Sequence, residues 1–291
     1  MTDKVTIEKG SAQETLIIPL YGRKLCTELF PDLFTDQAAV ELCERLDAGS
    51  ATEGKGGYFY DFSELDKQKN SFFYQFGALE GAMRGLDMQW EVKDYLNTRP
   101  SAAVVNMGCG LDQTGEVCRN GTCTVYNVDM PGVIETREQL LPDRASVNIA
   151  SNLTDHTWMD QVDGSGGAVF FAAGVFHYLT HAQARDLVCA LAQRFPGGRV
   201  VFDAVGKFGQ RMMMRTVLRN FDMAEFNDLF YAGGAADIAA WSDKITVTQR
   251  GYMLGYNDMR DPAVSGMHRF LARVGDGALK MQIYRIDIAE G

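Results

Sequence analysis

The sequence predicts an α/β fold built on a mostly parallel sheet with helices on both faces, and two observations carry that reading. Short apolar runs at 103–107, 124–128, 146–149, 168–172 and 199–205 alternate with helical stretches such as 133–140 and 181–194. Strands separated by crossover helices pair in parallel, with right-handed connections. In addition, the first run ends in Gly108-Cys109-Gly110 and the second ends in Asp129. A glycine turn after one strand and a carboxylate after the next make a nucleoside-ligand crevice. The glycines let the backbone approach the ligand, and the carboxylate accepts from two vicinal ribose hydroxyls.

Each segment fits this frame in turn. Residues 1–100 read as mostly helical, with apolar residues at helical spacing over 38–46 (AAVELCERL), 72–84 and 88–96. They are expected to form a helical cap packed on the core. Pro100 punctuates the chain before the first strand, and residues 101–291 form the α/β core. Residues 207–241 interrupt the alternation. The stretch 211–230 is rich in Met, Phe and Leu before Gly233-Gly234, the length of one or two inserted helices that would serve as a lid. Two final alternating stretches, 245–252 and 280–288, show no crossover helix between them as long as the earlier ones and predict an antiparallel edge.

Composition narrows the function. The chain has 291 residues, 46% of them hydrophobic, and 28 Lys and Arg against 38 Asp and Glu, a formal charge of -10. An acidic surface offers little to a nucleic-acid backbone or an anionic membrane. No apolar segment follows a basic start, and no run is long enough to span a bilayer. The cysteines at 26, 43, 109, 118, 123 and 189 sit in expected helices or beside strands, and are expected to be free thiols of a cytoplasmic protein. No Cys, His, Asp or Glu set has metal-ligand spacing, so no metal is expected.

The turn chemistry narrows the ligand. A dinucleotide fingerprint requires glycine where Gln113 stands, and a phosphate loop requires a Gly-Lys-Ser/Thr that is absent. With Asp112 alongside, a pyrophosphate is a poor guest. A ribose carrying a positive centre fits better.

The ordered stretches 14–23 (ETLIIPLYGR), 60–65 (YDFSEL), 84–87 (RGLD), 104–112 (VVNMGCGLD), 126–131 (YNVDMP), 155–158 (DHTW), 173–179 (AGVFHYL) and 194–203 (RFPGGRVVFD) resemble the class I S-adenosylmethionine-dependent methyltransferases. The resemblance is to the leucine carboxyl methyltransferase group and its bacterial branch similar to polyketide O-methyltransferases. It implies a Rossmann-like class I fold with a mostly parallel seven-stranded sheet, an antiparallel edge strand, an N-terminal helical extension and a helical insert. It also implies S-adenosyl-L-methionine as cofactor. Gly108, Cys109 and Gly110 resemble the cofactor loop, and Asp129, with Met130 after it, the ribose position. Arg84 resembles the arginine that pairs with the cofactor carboxylate, and Leu153, Thr154 and Asp155 the adenine frame. Where the family commonly carries Glu-Gly, this chain has Ala173-Gly174, so a carboxylate beside the sulfonium or the methionine amine is missing.

Near that position His177 is the candidate general base for a hydroxyl acceptor. Its alternative is a plain helix-start residue. The expected substrate-side residues are Tyr21, Arg23, Tyr178, Phe226 and Tyr231, suited to a small apolar or aromatic methyl acceptor; the same aromatics could instead pack the inserted helices onto the sheet. O-methylation of a hydroxyl or carboxylate is the leading reading, in a monomer or homodimer. Its rivals are a methyltransferase acting on nitrogen, sulfur or another acceptor, and a non-catalytic S-adenosylmethionine-binding protein. A hydride-transfer enzyme is the weakest alternative.

Overall fold

A computed structural model of the protein describes residues 5–7, 14–48, 58–217 and 228–291. In chain order the elements are β1 (Val5–Thr6), α1 (Glu14–Leu29), α2 (Gln37–Asp47), β2 (Tyr58–Phe59), α3 (Ser63–Gln68), α4 (Phe72–Thr98), β3 (Ala103–Met107), α5 (Thr114–Val117), β4 (Thr124–Asp129), α6 (Pro131–Leu140) and β5 (Ser146–Ala150). They continue with β6 (Ala168–Ala172), α7 (His181–Arg194), β7 (Arg199–Ala204), α8 (Lys207–Val217), α9 (Ala235–Ala239), β8 (Ile245–Gly251), α10 (Gly266–Gly277) and β9 (Gln282–Ile288), with 3₁₀ turns at His156–Gln161 and Phe176–Tyr178. Among the described residues no helix is long and apolar enough to cross a membrane.

The main sheet has seven strands in the order β5-β4-β3-β6-β7-β9-β8. The first five run parallel. The expected antiparallel edge is present, with β9 running against both β7 and β8. The reversed strand is therefore the inner of the two, and β8 closes the sheet. Helix α10, twelve residues long, lies between β8 and β9 where the sequence showed no comparable helix. Its apolar residues are sparse, and its start is set by a Ser265–His268 capping box. His268 is 4% exposed and stacks on Phe72.

Burial follows the alternation of side chains along each strand. Val104, Val169, Phe171 and Val201 point to one face and pack with Leu79, Met83, Met88 and Val92 of α4. Val105, Phe170, Val200 and Phe202 point to the other and pack with Leu187 and Leu191 of α7 and with Trp158. Strands β3, β6 and β7 are buried along their whole length, as strands covered on both faces must be. Each such side chain contributes roughly 1.5–3 kcal/mol.

Helix α4 is one continuous element of 27 residues, although its apolar pattern reads as two segments parted at Gly85. Met88, Val92 and Tyr95 bury against the sheet. One, two and three turns towards the N-terminus the same face carries Arg84, Gly81 and Gly77. A Cβ built at either of those two glycines meets nothing within 4 Å. The helix covers the sheet with its C-terminal half, and its N-terminal half keeps Leu79, Ala82 and Met83 in the same core while carrying Arg84 to Asp203 at the end of β7.

Strand order turns back between β3 and β6, since β4 and β5 lie on one side of β3 and β6 on the other. Ligands of open α/β sheets sit outside the carboxyl ends of the strands at such a point. Below it, Phe202 stacks on Phe176 at 3.8 Å between ring centroids, and on Tyr284 at 5.6 Å. Phe202→Ala is expected to lower the unfolding free energy by about 3–5 kcal/mol, measured by urea denaturation.

Candidate active site

Two loops meet at the switch point. In the first, Gly108 follows the buried Met107 with φ 71°, and a Cβ there would lie 2.5 Å from Cγ2 of Val175. Only glycine fits that close approach of the β3 and β6 loops. The Gly108 amide donates to the Val128 carbonyl at 2.8 Å, which ties the loop to β4.

The next peptide is held from both sides. The Gly110 amide donates to Oδ2 of Asp129 at 2.8 Å, and the Met130 amide donates to Oδ1 at 2.7 Å. Asp129 is therefore not the cap of α6, whose first turn begins at Pro131 with no side-chain cap. Each of its oxygens keeps a lone pair for a further donor. Burial raises its pKa, countered by the two amides and by Arg137. Arg137 donates to the carbonyls of Gly110 at 2.9 Å and Asp112 at 2.6 Å, and to Oε1 of Glu116 at 2.7 Å. Arg23 donates to the Leu111 carbonyl and pairs with Asp36, both at 2.8 Å. Three successive loop carbonyls are thus held by two guanidinium groups. Cys109 turns its thiol into the core, where burial raises the pKa well above the usual thiol range, so only its backbone faces the crevice.

The second loop follows β6. Ala173 packs against the core. Gly174 has φ 73°, and a Cβ there would lie 2.8 Å from the Arg84 guanidinium. Its amide donates to Oδ1 of Asp203 at 2.5 Å, and Arg84 reaches Oδ2 of Asp203 at 3.3 Å. Asp203 was not singled out from sequence as a site residue. Its signal is a carboxylate closing a strand that is otherwise apolar after Arg199. Glu80, one turn before Arg84 on α4, was also missed. Burial pushes its carboxyl up to about 7, against the pull of Arg84. His177 stands beside Asp203 and Arg84. Burial, opposed by Asp203 and aided by Arg84, lowers its pKa from 6.5 to about 4. Its neighbour Tyr178 is 58% exposed.

The third strand end is shallower. Leu153 is buried and its carbonyl accepts from Nε1 of Trp158. Thr154 bonds to Asn152 through both its amide and its hydroxyl. Asp155 is exposed and caps the following 3₁₀ turn by accepting from the amide and hydroxyl of Thr157. Met130 is half-exposed beside Asp129.

The substrate-side residues are dispersed. Tyr21 is 2% exposed, stacks on Phe62 and donates to Asp66, so its hydroxyl is committed within the cap. Arg23 braces the glycine loop, as above. Tyr231 packs edge-on against His181, with the Lys207 ammonium 5.4 Å from its ring. Phe226 lies outside the described residues. Among the described residues no three His, Cys, Asp or Glu converge on a metal-sized site.

The arrangement fits a nucleoside that carries an amino-acid tail. Gly108 and Gly174 let the two loops and Arg84 approach closely, Asp129 retains acceptor capacity, and Arg84 makes a single ion pair at 3.3 Å with Asp203, leaving guanidinium donors for a carboxylate.

No family model matches the chain. The chain is 30% identical over 203 residues to the tetracenomycin polyketide synthesis O-methyltransferase TcmP of Streptomyces glaucescens, covering 69% of its own length and 68% of the relative's. It is 24% identical over 218 residues to the S-adenosyl-L-methionine-dependent methyltransferase dpfgK of Gibberella zeae, covering 70% of each. The fold resembles that of a DUF574 family protein from Streptomyces avermitilis, with a TM-score of 0.55 at 11% identity over 91% of this chain and 99% of the other. It also resembles a Thermobifida fusca protein provisionally described as a methyltransferase, with a TM-score of 0.54 at 16% identity over 86% and 94%.

Arg137→Met leaves Glu116 and two loop carbonyls without their cation, and is expected to cost about 3–5 kcal/mol in urea denaturation. His177 gives a pH signature. The unfolded chain takes up this proton near pH 6.5 and the folded chain near pH 4. Its contribution is therefore fully present above pH 6.5 and is lost as pH falls towards 4. The stability difference between wild type and His177→Gln should be flat above pH 6.5 and should drift against the wild type below it.

Proposed function

The chain belongs to the class I S-adenosylmethionine-dependent methyltransferases, and on that premise we propose that it methylates an oxygen of a small apolar or aromatic molecule. The observation that carries the oxygen is the 30% identity, over two thirds of each chain, to a polyketide O-methyltransferase. The finer placement in the leucine carboxyl methyltransferase group is supported by the order of motifs along the chain and by a helical N-terminal region that brings Arg84 to the strand ends.

The bound cofactor supplies an electrophilic methyl group on a positively charged sulfur. The chain's own residues bind, orient and exclude water. Asp129 would accept from the ribose hydroxyls, and the backbone of Gly108, Cys109 and Gly110 would hold the amino-acid half. Arg84 would donate to the carboxylate, beside Ala173 and Gly174. Met130, Leu153 and Thr154 would frame the adenine, with Asp155 holding the turn that follows them. Residues around the crevice would hold the acceptor oxygen in line with the methyl group that the cofactor would supply. A hydroxyl acceptor also gives up a proton. With its pKa lowered to about 4, His177 is neutral at pH 7 and weakly basic, which suits a hydrogen bond that orients the hydroxyl. Tyr178 and Tyr231 border the acceptor side. We place the protein in the cytoplasm, in keeping with six free thiols.

Calorimetry with S-adenosylmethionine, S-adenosylhomocysteine and NADH tests the cofactor. The first two should bind, NADH should not, and Asp129→Ala should weaken binding by about 100-fold. Transfer of a labelled methyl group to a panel of phenols and aromatic acids then tests the acceptor. Label found only on amines or thiols would favour the rival acceptor class, and binding without transfer to any acceptor would favour a non-catalytic protein.

A further inference from the structure

The carboxylates around the switch point differ in what they already hold. Asp129 accepts from two amides, Asp203 from the Gly174 amide and Arg84, Asp112 from Asn106 and Thr114, and Asp155 from Thr157. Glu80 stands apart. It is half-buried on α4, and it makes no hydrogen bond or ion pair with the described residues. Arg84, one turn later on the same helix, keeps donors free beyond its single contact at 3.3 Å with Asp203.

Side chains four apart on a helix are neighbours, with Cβ atoms roughly 5–6 Å from each other. Glu80 and Arg84 therefore present a carboxylate and a guanidinium side by side. Beside them Gly77 and Gly81 leave open space against the helix backbone. An α-amino acid head group carries the complementary pattern, an ammonium and a carboxylate on one carbon. We infer that Glu80 and Arg84 form a two-point clamp for the zwitterionic head of the cofactor, with Glu80 accepting from the ammonium and Arg84 donating to the carboxylate. The inference rests on the cofactor reading above and adds a residue and a charge to it.

The groups facing Glu80 are Arg84 from its own helix and Tyr252 from the end of β8, with Asp203 and His177 on the far side of Arg84. Burial holds the Glu80 carboxyl up to about 7. An ammonium placed against it favours the charged form, so head-group binding expels a proton at pH 6–7 and none at pH 8.

Calorimetry on the full chain tests this without any methyl acceptor. The probes are S-adenosylhomocysteine and its analogue lacking the α-amino group, titrated at pH 6.5 and pH 8 in buffers of different ionisation enthalpy. For Glu80→Gln the expected result at pH 8 is about tenfold weaker binding of S-adenosylhomocysteine, unchanged binding of the analogue, and loss of the proton release seen for wild type at pH 6.5. Glu80→Asp, a second variant, should retain the proton release with weakened affinity. Equal weakening of both probes, no weakening of either, or proton release that survives in Glu80→Gln would overturn the clamp while leaving the cofactor reading intact. Failure of the folded wild type to bind S-adenosylhomocysteine would overturn the cofactor reading and the clamp with it.

Discussion

The peptide at Gly110 is the constraint on which the site depends. Its amide is held by a carboxylate from the end of β4 and its carbonyl by a guanidinium from α6. Both partners stand on regular elements that frame the crevice, so the peptide is held from two sides. In the proposed reading the same carboxylate takes the ribose hydroxyls, so the group that would bind the ligand also shapes the backbone that the ligand must approach. A substitution at Asp129 therefore removes a contact and loosens a loop together. Arg23 extends the brace to the cap, reaching the Leu111 carbonyl from α1. Helix α1 is thus joined to the glycine loop by a charged hydrogen bond and not by apolar packing alone.

The second loop is organised by charge in the same economical way. Asp203 orders the Gly174 amide with one oxygen and Arg84 with the other. Burial and the nearby guanidinium keep His177 neutral down to about pH 4. The crevice therefore offers an ordered anion, an ordered cation and a neutral ring at neutral pH. A positively charged sulfur centre meets no fixed positive charge in this loop other than one already faced by a carboxylate.

Much of this was legible in the residues. The bounds of β3, β6 and α7 fall where apolar runs meet glycine, proline or a Thr-x-x-Gln cap, because those signals are local. Asp129 and Gly108 were legible because strand-turn chemistry permits few residue types there. What escaped depends on packing across elements. Arg137 sits on a helix face that reads as ordinary surface until α6 lies against the loop. Tyr21 looks like a ligand-facing aromatic until Asp66 arrives from α3 to take its hydroxyl. Asp155 serves as a turn cap, which sequence alone could not separate from an adenine contact. The continuity of α4 was obscured by Gly85, whose helix cost of about 1 kcal/mol is outweighed by the burial of Met83, Met88 and Val92 on either side of it.

That continuity has a mechanical consequence. Between Gly77 and Met88 the helix runs eleven residues, or about 16 Å at the usual rise, and Ala78, Leu79, Ala82 and Met83 are buried along it. Leu79, Ala82 and Met83 share a core with Cys26 of α1 and with Phe171 and Val201 of the sheet. The segment that carries Glu80 and Arg84 is therefore backed along its length, and α1 and the strand ends are tied to each other through one rod.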